Sequence, residues 1–287
     1  MQRFRRIRKA WKAITLCFLT LFSLFYIGII EPNWIDAHPV SVTLPHLSPE
    51  FEGYKIVQLT DIHADEWMTA DRLRRIIRIA NRQNPDLVVL TGDYITMGVA
   101  RFTPALHVLN QLTPKDGTIA ILGNHDGYIN PQILIGPMER AGVKVFQNQV
   151  RQIRRGNGIL TIAGLGDAIA GHAKIAQVLP QLPSTGAAIL LVHEPDFADE
   201  TAATHRFDLQ LSGHSHGGQI SLPFLNIRRI TPRLAKKYPT GLYHIEDLLQ
   251  YTSRGLGLAS NVRVRLNCRP EIAVFTLHAP PQSTLKS

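Results

Sequence analysis

Cysteine is scarce in this chain of 287 residues, in which Cys17 and Cys268 are the only two. Cys17 lies in an apolar segment that is expected to be in lipid, so no disulfide with Cys268 is predicted. The fold is therefore expected to form without a disulfide. The cysteine content leaves the redox compartment open.

Acidic residues are absent from the first 30 positions. The basic side chains there number six: Arg3, Arg5, Arg6, Arg8, Lys9 and Lys12. The formal net charge of +9 therefore falls to +3 for residues 13–287. Because most of the basicity is confined to a terminal tail, it does not indicate a nucleic-acid-binding domain, and no nucleic-acid partner is expected.

Charge is also absent from Ile14 to Ile30. At 1.5 Å per residue this run spans ~26 Å, and Trp11 and Trp34 flank it as interfacial anchors would. A single-pass anchor in the cell (inner) membrane is the favoured interpretation, and a cleaved signal peptide is the alternative. The basic tail precedes the run, so the positive-inside rule predicts a cytoplasmic amino terminus and an extracytoplasmic globular part.

These features predict four regions. They are a basic cytoplasmic tail (1–13), a transmembrane anchor (14–30), a linker with a first strand (31–53) and a globular domain (54–287). The apolar content of 45% is sufficient to bury one large core.

Five apolar, β-branched runs predict buried strands at residues 54–59, 87–90, 118–122, 187–192 and 207–211. Helical spacing of apolar residues predicts helices at 70–82, 104–112 and 131–141. The alternation of strands and helices indicates an α/β fold. After Gly213, further strands are predicted at 219–222, 262–266 and 272–277.

A polar motif follows each of the five runs directly. The motifs are Asp61-Ile62-His63, Gly92-Asp93, Gly123-Asn124-His125-Asp126, His193-Glu194 and Gly213-His214-Ser215-His216. Open α/β folds place their chemistry at the carboxyl ends of strands, so these side chains are expected to meet in one site. Carboxylate, imidazole and amide groups together suit hard to borderline divalent metals. The candidate ligands are Asp61, His63, Asp93, Asn124, His193, His214 and His216.

The five motifs resemble those of the calcineurin-like metallophosphoesterases over roughly residues 54–220. The resemblance implies a β-sandwich of two mixed sheets flanked by helices, in four layers (αββα), to which the sequence adds the amino-terminal transmembrane helix. It also implies two divalent metal ions, with Asp61, His63, Asp93 and His216 around one and Asp93, Asn124, His193 and His214 around the other. Asp93 would bridge them. Oxygen and nitrogen ligands without thiolate favour manganese, with iron or zinc as alternatives.

Other residues are predicted to act on the substrate. His125 is expected to protonate the leaving oxygen or to stabilise developing charge, with Asp126 orienting its ring. Arg254 is a candidate donor to the substrate phosphate. A basic stretch is expected either to contact anionic headgroups or a substrate phosphate, or to form a solvated loop: Arg228, Arg229, Arg233, Lys236 and Lys237.

The motifs Ser253-Arg254-Gly255-Leu256-Gly257 and Arg269-Pro270-Glu271-Ile272 extend the resemblance to a membrane-tethered branch of the family, similar to UDP-2,3-diacylglucosamine pyrophosphatase. This branch implies hydrolysis of a phosphodiester or pyrophosphate bond in a lipid-linked or nucleotide-linked substrate. Two alternatives stay open: a phosphatase of soluble phosphomonoesters or phosphoproteins, and a tethered scaffold without catalysis. The full set of ligands with His125 argues against a scaffold. The sequence leaves the oligomeric state open.

Overall fold

The computed structural model of the chain describes residues 2–96, 100–222, 224, 226, 230–259 and 263–281. Within these residues the strands are β1 Asp36–Thr43, β2 Tyr54–Leu59, β3 Leu87–Thr91, β4 Thr118–Ile121, β5 Val143–Val145, β6 Gln149–Arg155, β7 Gly158–Gly164, β8 Ala187–Leu191, β9 Leu209–Ser212, β10 Gly241–Ile245, β11 Leu248–Thr252 and β12 Glu271–His278.

The α-helices are α1 Gln2–Phe25, α2 Glu31–Asn33, α3 Ala70–Asn81, α4 Gln132–Arg140, α5 Ile175–Val178 and α6 Ala198–Ala202. A π-helical turn, Tyr26–Ile30, joins α1 to α2. The 3-10 segments are Pro49–Phe51, Ala100–Gln111, Asp126–Tyr128, Leu179–Gln181, Pro195–Phe197 and His216–Gly218.

The strands form two mixed sheets of six strands each. The first has the order β1-β12-β2-β3-β4-β5, and only the β12–β2 pair in it is antiparallel. The second has the order β10-β11-β9-β8-β7-β6, with parallel pairing from β11 to β7 and an antiparallel pair at each edge. The predicted fold of two mixed sheets is confirmed.

Alternate residues of the strands face different cores, as the two-residue period of a strand requires. Ile56 of β2 packs between the sheets with Ile162 of β7, whereas Val57 faces α3 and contacts the cluster containing Ile76. A third apolar cluster lies between the second sheet and α5 and α6. The layers are therefore helix, sheet, sheet and helix.

The five predicted strands match β2, β3, β4, β8 and β9 to within two residues at each end. They do not share one sheet, because β2–β4 belong to the first and β8–β9 to the second. Gln58 of β2 joins the two, since its side-chain amide donates to Thr91 Oγ1 (2.9 Å) and to the Ser212 carbonyl (3.0 Å). The ends of five strands from two sheets thus meet at one edge of the sandwich.

Two sequence predictions need correction. The α-helix predicted at 104–112 is instead part of a run of 3-10 turns, Ala100–Gln111, with Pro104 inside it, where proline lacks the backbone N–H of a regular helix. Residues 219–222 and 262–266 form no strands among the described residues. They meet in a single bridge between Ile220 and Leu266, and Val262 lies outside the described part of the chain.

The amino-terminal helix is long and apolar enough to cross a membrane, over Phe4–Asn33, and its apolar window is 0% buried. It is continuous with the predicted basic tail and continues three residues past the predicted end of the anchor. Glu31 and Pro32 at its end are buried against the globular part.

Candidate metal centre

The candidate ligands lie on tight loops that follow the strands. Five of them have a left-handed backbone, with φ between 48° and 70°: Asp61, His63, Asp93, His214 and His216. Non-glycine residues seldom adopt this conformation, which costs about 1–3 kcal/mol each. The loops therefore hold these side chains in one orientation at an energetic cost.

Glycines let the loops approach each other. A Cβ on Gly92 would lie 2.6 Å from the Gly123 nitrogen, and one on Gly123 would overlap the Asp93 carboxylate. A Cβ on Gly213 would likewise overlap Asp61. The glycines in the predicted motifs are therefore required by backbone packing around the carboxylates.

Asp61, His63 and His216 form the first group of potential metal ligands. His63 Nε2 lies 3.0 Å from His216 Nε2, which in turn lies 3.4 Å from Asp61 Oδ1. The backbone N–H of His214 donates to both oxygens of Asp61, at 3.0 and 3.2 Å. These three side chains are almost completely buried and aim their donor atoms at one point.

Asp93, His193 and His214 form the second group. His193 Nδ1 donates to the Thr91 carbonyl (2.7 Å), and His214 Nε2 donates to the Arg233 carbonyl (2.8 Å). Because a carbonyl only accepts, each bond places a proton on the nitrogen that makes it, so the other ring nitrogen of each histidine is the one that can bind a metal. His193 Nε2 lies 3.2 Å from Asp93 Oδ2.

Asp93 connects the two groups. Its Oδ2 lies 3.5 Å from His63 Nε2 of the first group and 3.2 Å from His193 Nε2 of the second. Asn124 Oδ1 and His193 Nε2 are buried and have no hydrogen-bond partner among the described residues. Buried polar atoms normally have partners, so these donors fit a pair of cations that share Asp93.

Burial sets the protonation of the ligands. It lowers the pKa of His63 to about 4 and that of His214 to about 4, so both rings are neutral at neutral pH. Burial alone would raise the pKa of Asp93 and lower that of His193, but the attraction between the two groups outweighs burial. It holds the pKa of Asp93 well below its usual range and that of His193 well above its usual range. His63 and His214 are thus neutral and Asp93 is ionised, as metal binding requires, whereas a cation bound at His193 Nε2 would displace the proton of that ring.

Asp126 supports the ligand loops. Its carboxylate accepts the backbone N–H groups of Asp93 (2.9 Å), Tyr94 (2.8 Å) and Gly123 (2.9 Å). Burial, together with the charge of Asp93, raises its pKa to about 7. These contacts tie the loop after β3 to the loop after β4, so Asp126 fixes the position of Asp93. The prediction that it orients the His125 ring remains a prediction.

His125 lies at the edge of the centre and is half-buried. Its ring is perpendicular to that of His63, with centroids 4.7 Å apart, and also contacts Tyr128. Its backbone N–H donates to Asp93 Oδ1 at 2.9 Å. The side chain thus lies beside the potential metal ligands and faces the open cavity.

A cavity of about 320 Å³ opens over the centre. His63, Asp93, Asn124, His214 and His216 line its floor together with His125, and Ser215, Gly218, Gln219, Ile230, Pro232 and Ala259 line its walls. A polar floor with partly apolar walls can accept a phosphate group attached to an apolar or neutral moiety.

Arg254 lies in a different cavity, between Asp36 and Glu271. Its Nε donates to Glu271 (2.5 Å) and its NH2 group to Asp36 (2.7 Å). Both acceptors are carboxylates, so the guanidinium is already paired. Its predicted contact with a substrate phosphate stays a prediction.

The basic stretch is partly outside the described residues, which do not include Arg228 and Arg229. The described members contact the protein itself. The carbonyl of Arg233 holds His214, Lys236 Nζ donates to Thr231, and Lys237 Nζ pairs with Asp199. This part of the stretch therefore supports the cavity wall.

Sequence reasoning missed the supporting contacts. The carbonyls of Thr91 and Arg233, which fix two histidines, have no signal in the sequence because any residue provides a carbonyl. The bond from the Thr96 hydroxyl to the His63 carbonyl (3.3 Å) is likewise visible only in the fold. Arg265, fully buried behind the site, is visible only in the fold.

Known proteins resemble the chain over the same region. The family model for calcineurin-like phosphoesterases matches residues 54–218. The metallophosphoesterase YkuE of Bacillus subtilis is 35% identical over 256 residues, covering 88% of each chain. The phosphodiesterase YaeI of Escherichia coli is 30% identical over 276 residues, 94% of this chain and 98% of that protein. A transmembrane protein with a metallophosphoesterase domain from Danio rerio is 29% identical over 260 residues, 86% of this chain and 57% of that protein.

The proposal that both metal positions share Asp93 can be tested by measuring the metal content of variants. Asp93→Ala is expected to weaken binding at both positions by more than the roughly 10–100-fold that loss of an outer contact costs. Asn124→Ala should weaken binding at one position only, because the family resemblance assigns its oxygen to the second ion alone. Atomic emission after removal of free metal gives the stoichiometry, and His244→Ala, an exposed histidine, is the control. Two tightly held ions in Asp93→Ala would contradict a shared carboxylate.

Proposed function

The chain belongs to the calcineurin-like phosphoesterase family, and on this premise we propose that it hydrolyses a phosphodiester or pyrophosphate bond in a lipid-linked or nucleotide-linked substrate. As a member of this family it is a metal-dependent hydrolase of phosphate esters, with a dinuclear divalent metal site. The proposal concerns the bond and the substrate. A reaction like that of UDP-2,3-diacylglucosamine pyrophosphatase is the most specific form of it.

The observation that supports this function best is the position of Asp93 between the two groups of donors. Asp61, His63, Asp93 and His216 would hold one ion, and Asp93, Asn124, His193 and His214 the other. We favour manganese, with iron and zinc as alternatives, because the donors are oxygen and imidazole nitrogen without thiolate. Two such cations activate a water molecule and neutralise charge on the phosphoryl group.

The chain's own residues supply the remaining steps. His125, beside His63 at the mouth of the centre, would donate a proton to the leaving oxygen or stabilise its charge. Asp126 would keep Asp93 in place through the backbone of two loops. The buried floor excludes bulk water from the ligands, and this strengthens their electrostatic effect on a bound phosphate.

A lipid-linked substrate is supported by the short path from the anchor to the cavity. Gln219, in the cavity wall, donates to the Val264 carbonyl (3.3 Å), and the next residue, Arg265, donates its backbone N–H to the Ile27 carbonyl of the anchor (3.0 Å). The cavity wall and the membrane helix are thus separated by one segment of chain. A substrate held in the bilayer can reach such a cavity without leaving the surface.

The proposed organisation follows the sequence. Residues 1–13 form a basic cytoplasmic tail, 14–30 the membrane anchor, 31–53 the linker with the first strand, and 54–287 the catalytic domain. The positive-inside rule then places the catalytic domain outside the cytoplasm, on the cell (inner) membrane. In this scheme Arg254 would bind a substrate phosphate after release of its pairs with Glu271 and Asp36.

The substrate proposal is tested with full-length protein loaded with Mn²⁺. We expect faster hydrolysis of an aryl phosphodiester and of a nucleotide-linked pyrophosphate than of an aryl monophosphate, and a further increase when the pyrophosphate carries an acyl chain in mixed micelles. Faster cleavage of the monophosphate would favour a phosphatase of soluble esters. If no divalent metal supported hydrolysis of any of these substrates, the result would favour the alternative of a tethered scaffold without catalysis.

The role of His125 is tested by the leaving group. His125→Ala should lower kcat for an alkyl leaving group by about 10²–10⁴-fold, since such a group needs a proton, and lower it much less for nitrophenolate. Metal content should stay at the wild-type value. His107→Ala, an exposed histidine outside the centre, serves as the control. Equal losses for both leaving groups would exclude proton donation by His125.

The orientation is tested by a reporter at the carboxyl end. Alkaline phosphatase fused after residue 287 should be active, because the proposed orientation places the carboxyl end outside the cytoplasm. A green fluorescent protein fused at the same position should be dark when it is exported through the general secretory route. The opposite pair of results would place the catalytic domain in the cytoplasm.

A further inference from the structure

The anchor helix ends inside the globular part, not in a free linker. In the π-helical turn the Glu31 N–H donates to the Tyr26 carbonyl, and Pro32 has no N–H to offer the carbonyl of Ile27. That free carbonyl accepts the backbone N–H of Arg265 at 3.0 Å. A break in the helical ladder therefore joins the end of the membrane segment to the domain.

Glu31 makes the second contact of the junction. Its side chain is 1% exposed, and its Oε1 accepts the backbone N–H of Cys268 at 2.6 Å. A carboxylate at such a position is costly to bury, and its hydrogen bond to the domain offsets part of this cost. The bond spans 237 residues of sequence.

Cys268 contacts both Glu31 and the loop that carries His216. Its backbone N–H is held by Glu31, while its thiol donates to the His216 carbonyl at 3.3 Å. Gly217 presses against the same sulfur, since a Cβ there would lie 2.8 Å from it. The position of the His216 loop thus depends on the position of Cys268.

Arg265 connects the junction to Asp61 and His63, the other two members of the same group. Its buried guanidinium donates to the carbonyls of Gly255 (3.1 Å) and Gly257 (2.7 Å). The Gly257 N–H donates to the Asp61 carbonyl at 2.6 Å, and a Cβ on Gly257 would lie 2.9 Å from His63 Cβ. Arg265 therefore holds a glycine loop against the turn from Asp61 to His63.

We infer that Glu31 is a positioning residue for one half of the metal centre, the group of Asp61, His63 and His216. The end of the membrane helix, through Cys268 and Arg265, fixes the geometry of this group. The imidazole rings of the other half have different supports, because the carbonyls of Thr91 and Arg233 accept from the rings of His193 and His214. This inference rests on the proposed dinuclear centre and adds a role for the anchor.

If the role of Glu31 were purely structural, its replacement would lower the stability of the protein without weakening one metal position more than the other. The two roles are separated by titrating metal-free, full-length protein in detergent with Mn²⁺ and following the free ion by electron paramagnetic resonance. Wild-type protein should bind two ions. Glu31→Ala should bind one of them about 10–100-fold more weakly, as loss of an outer contact does, and the other with unchanged affinity. Glu31→Gln keeps an acceptor for Cys268 and should restore most of the affinity.

Asp208→Ala is the matched control. Asp208 is also a buried carboxylate that accepts a backbone N–H, that of Ala188 (2.9 Å), but at the far end of the second sheet. The Asp208→Ala substitution should lower the melting temperature and leave both Mn²⁺ affinities unchanged. The same loss at one position in Asp208→Ala would show that general destabilisation is sufficient, and would overturn the inference.

A second pair of variants tests the same path if Glu31→Ala does not fold. Cys268→Ala removes the thiol donor to His216 but keeps the backbone contact with Glu31, whereas Cys268→Ser keeps a donor. Weaker binding of one ion in Cys268→Ala, recovered in Cys268→Ser, supports the inference. Folded variants that bind both ions as wild type does would overturn it and leave the metal centre intact. Wild-type protein that binds fewer than two divalent ions would overturn the proposed centre itself.

Discussion

The carboxylate of Asp93 is the group on which the arrangement of the centre depends. It is 1% exposed, and it lies within 3.5 Å of an imidazole from each of the two groups of donors. Burying such a charge is expensive unless it is paired and hydrogen-bonded. The backbone N–H of His125 donates to one carboxylate oxygen of Asp93, and the backbone N–H of Asp93 donates to the carboxylate of Asp126. Two loops from neighbouring strands are therefore organised around one anion.

The backbone around this anion is strained. Left-handed conformations at five ligand positions cost free energy, and the loops can close only because glycines lie where they meet. The apolar core between the sheets and beneath the helices stabilises the domain enough to hold this strain. The rigid frame supports the strained loops at one edge of the sandwich, and the loops keep the donor atoms close together.

The sequence predicts the central strands and the ligands well, because both depend on local pattern. Runs such as 54–59 and 87–90 are apolar on both faces, and polar motifs directly follow them. The pattern does not reveal which of the two sheets each run joins, since burial is the same in both. The edge strand β6 is hard to predict because it contains Arg151, Arg154 and Arg155, which read as surface loop. The bonds of Glu31 to Cys268 and of Arg265 to Ile27 join residues more than 200 positions apart, and no local pattern encodes them.

The junction between helix and domain also limits how the enzyme can move. Ile27, Glu31 and Pro32 each make a hydrogen bond to the domain, so no hinge separates the apolar helix from the first strand at Asp36. A flexible tether would let the cavity swing over a wide volume of solvent. With the helix across a bilayer, as proposed, these contacts would set the height and tilt of the cavity above the membrane, and lateral diffusion of the whole molecule would determine which substrates it meets.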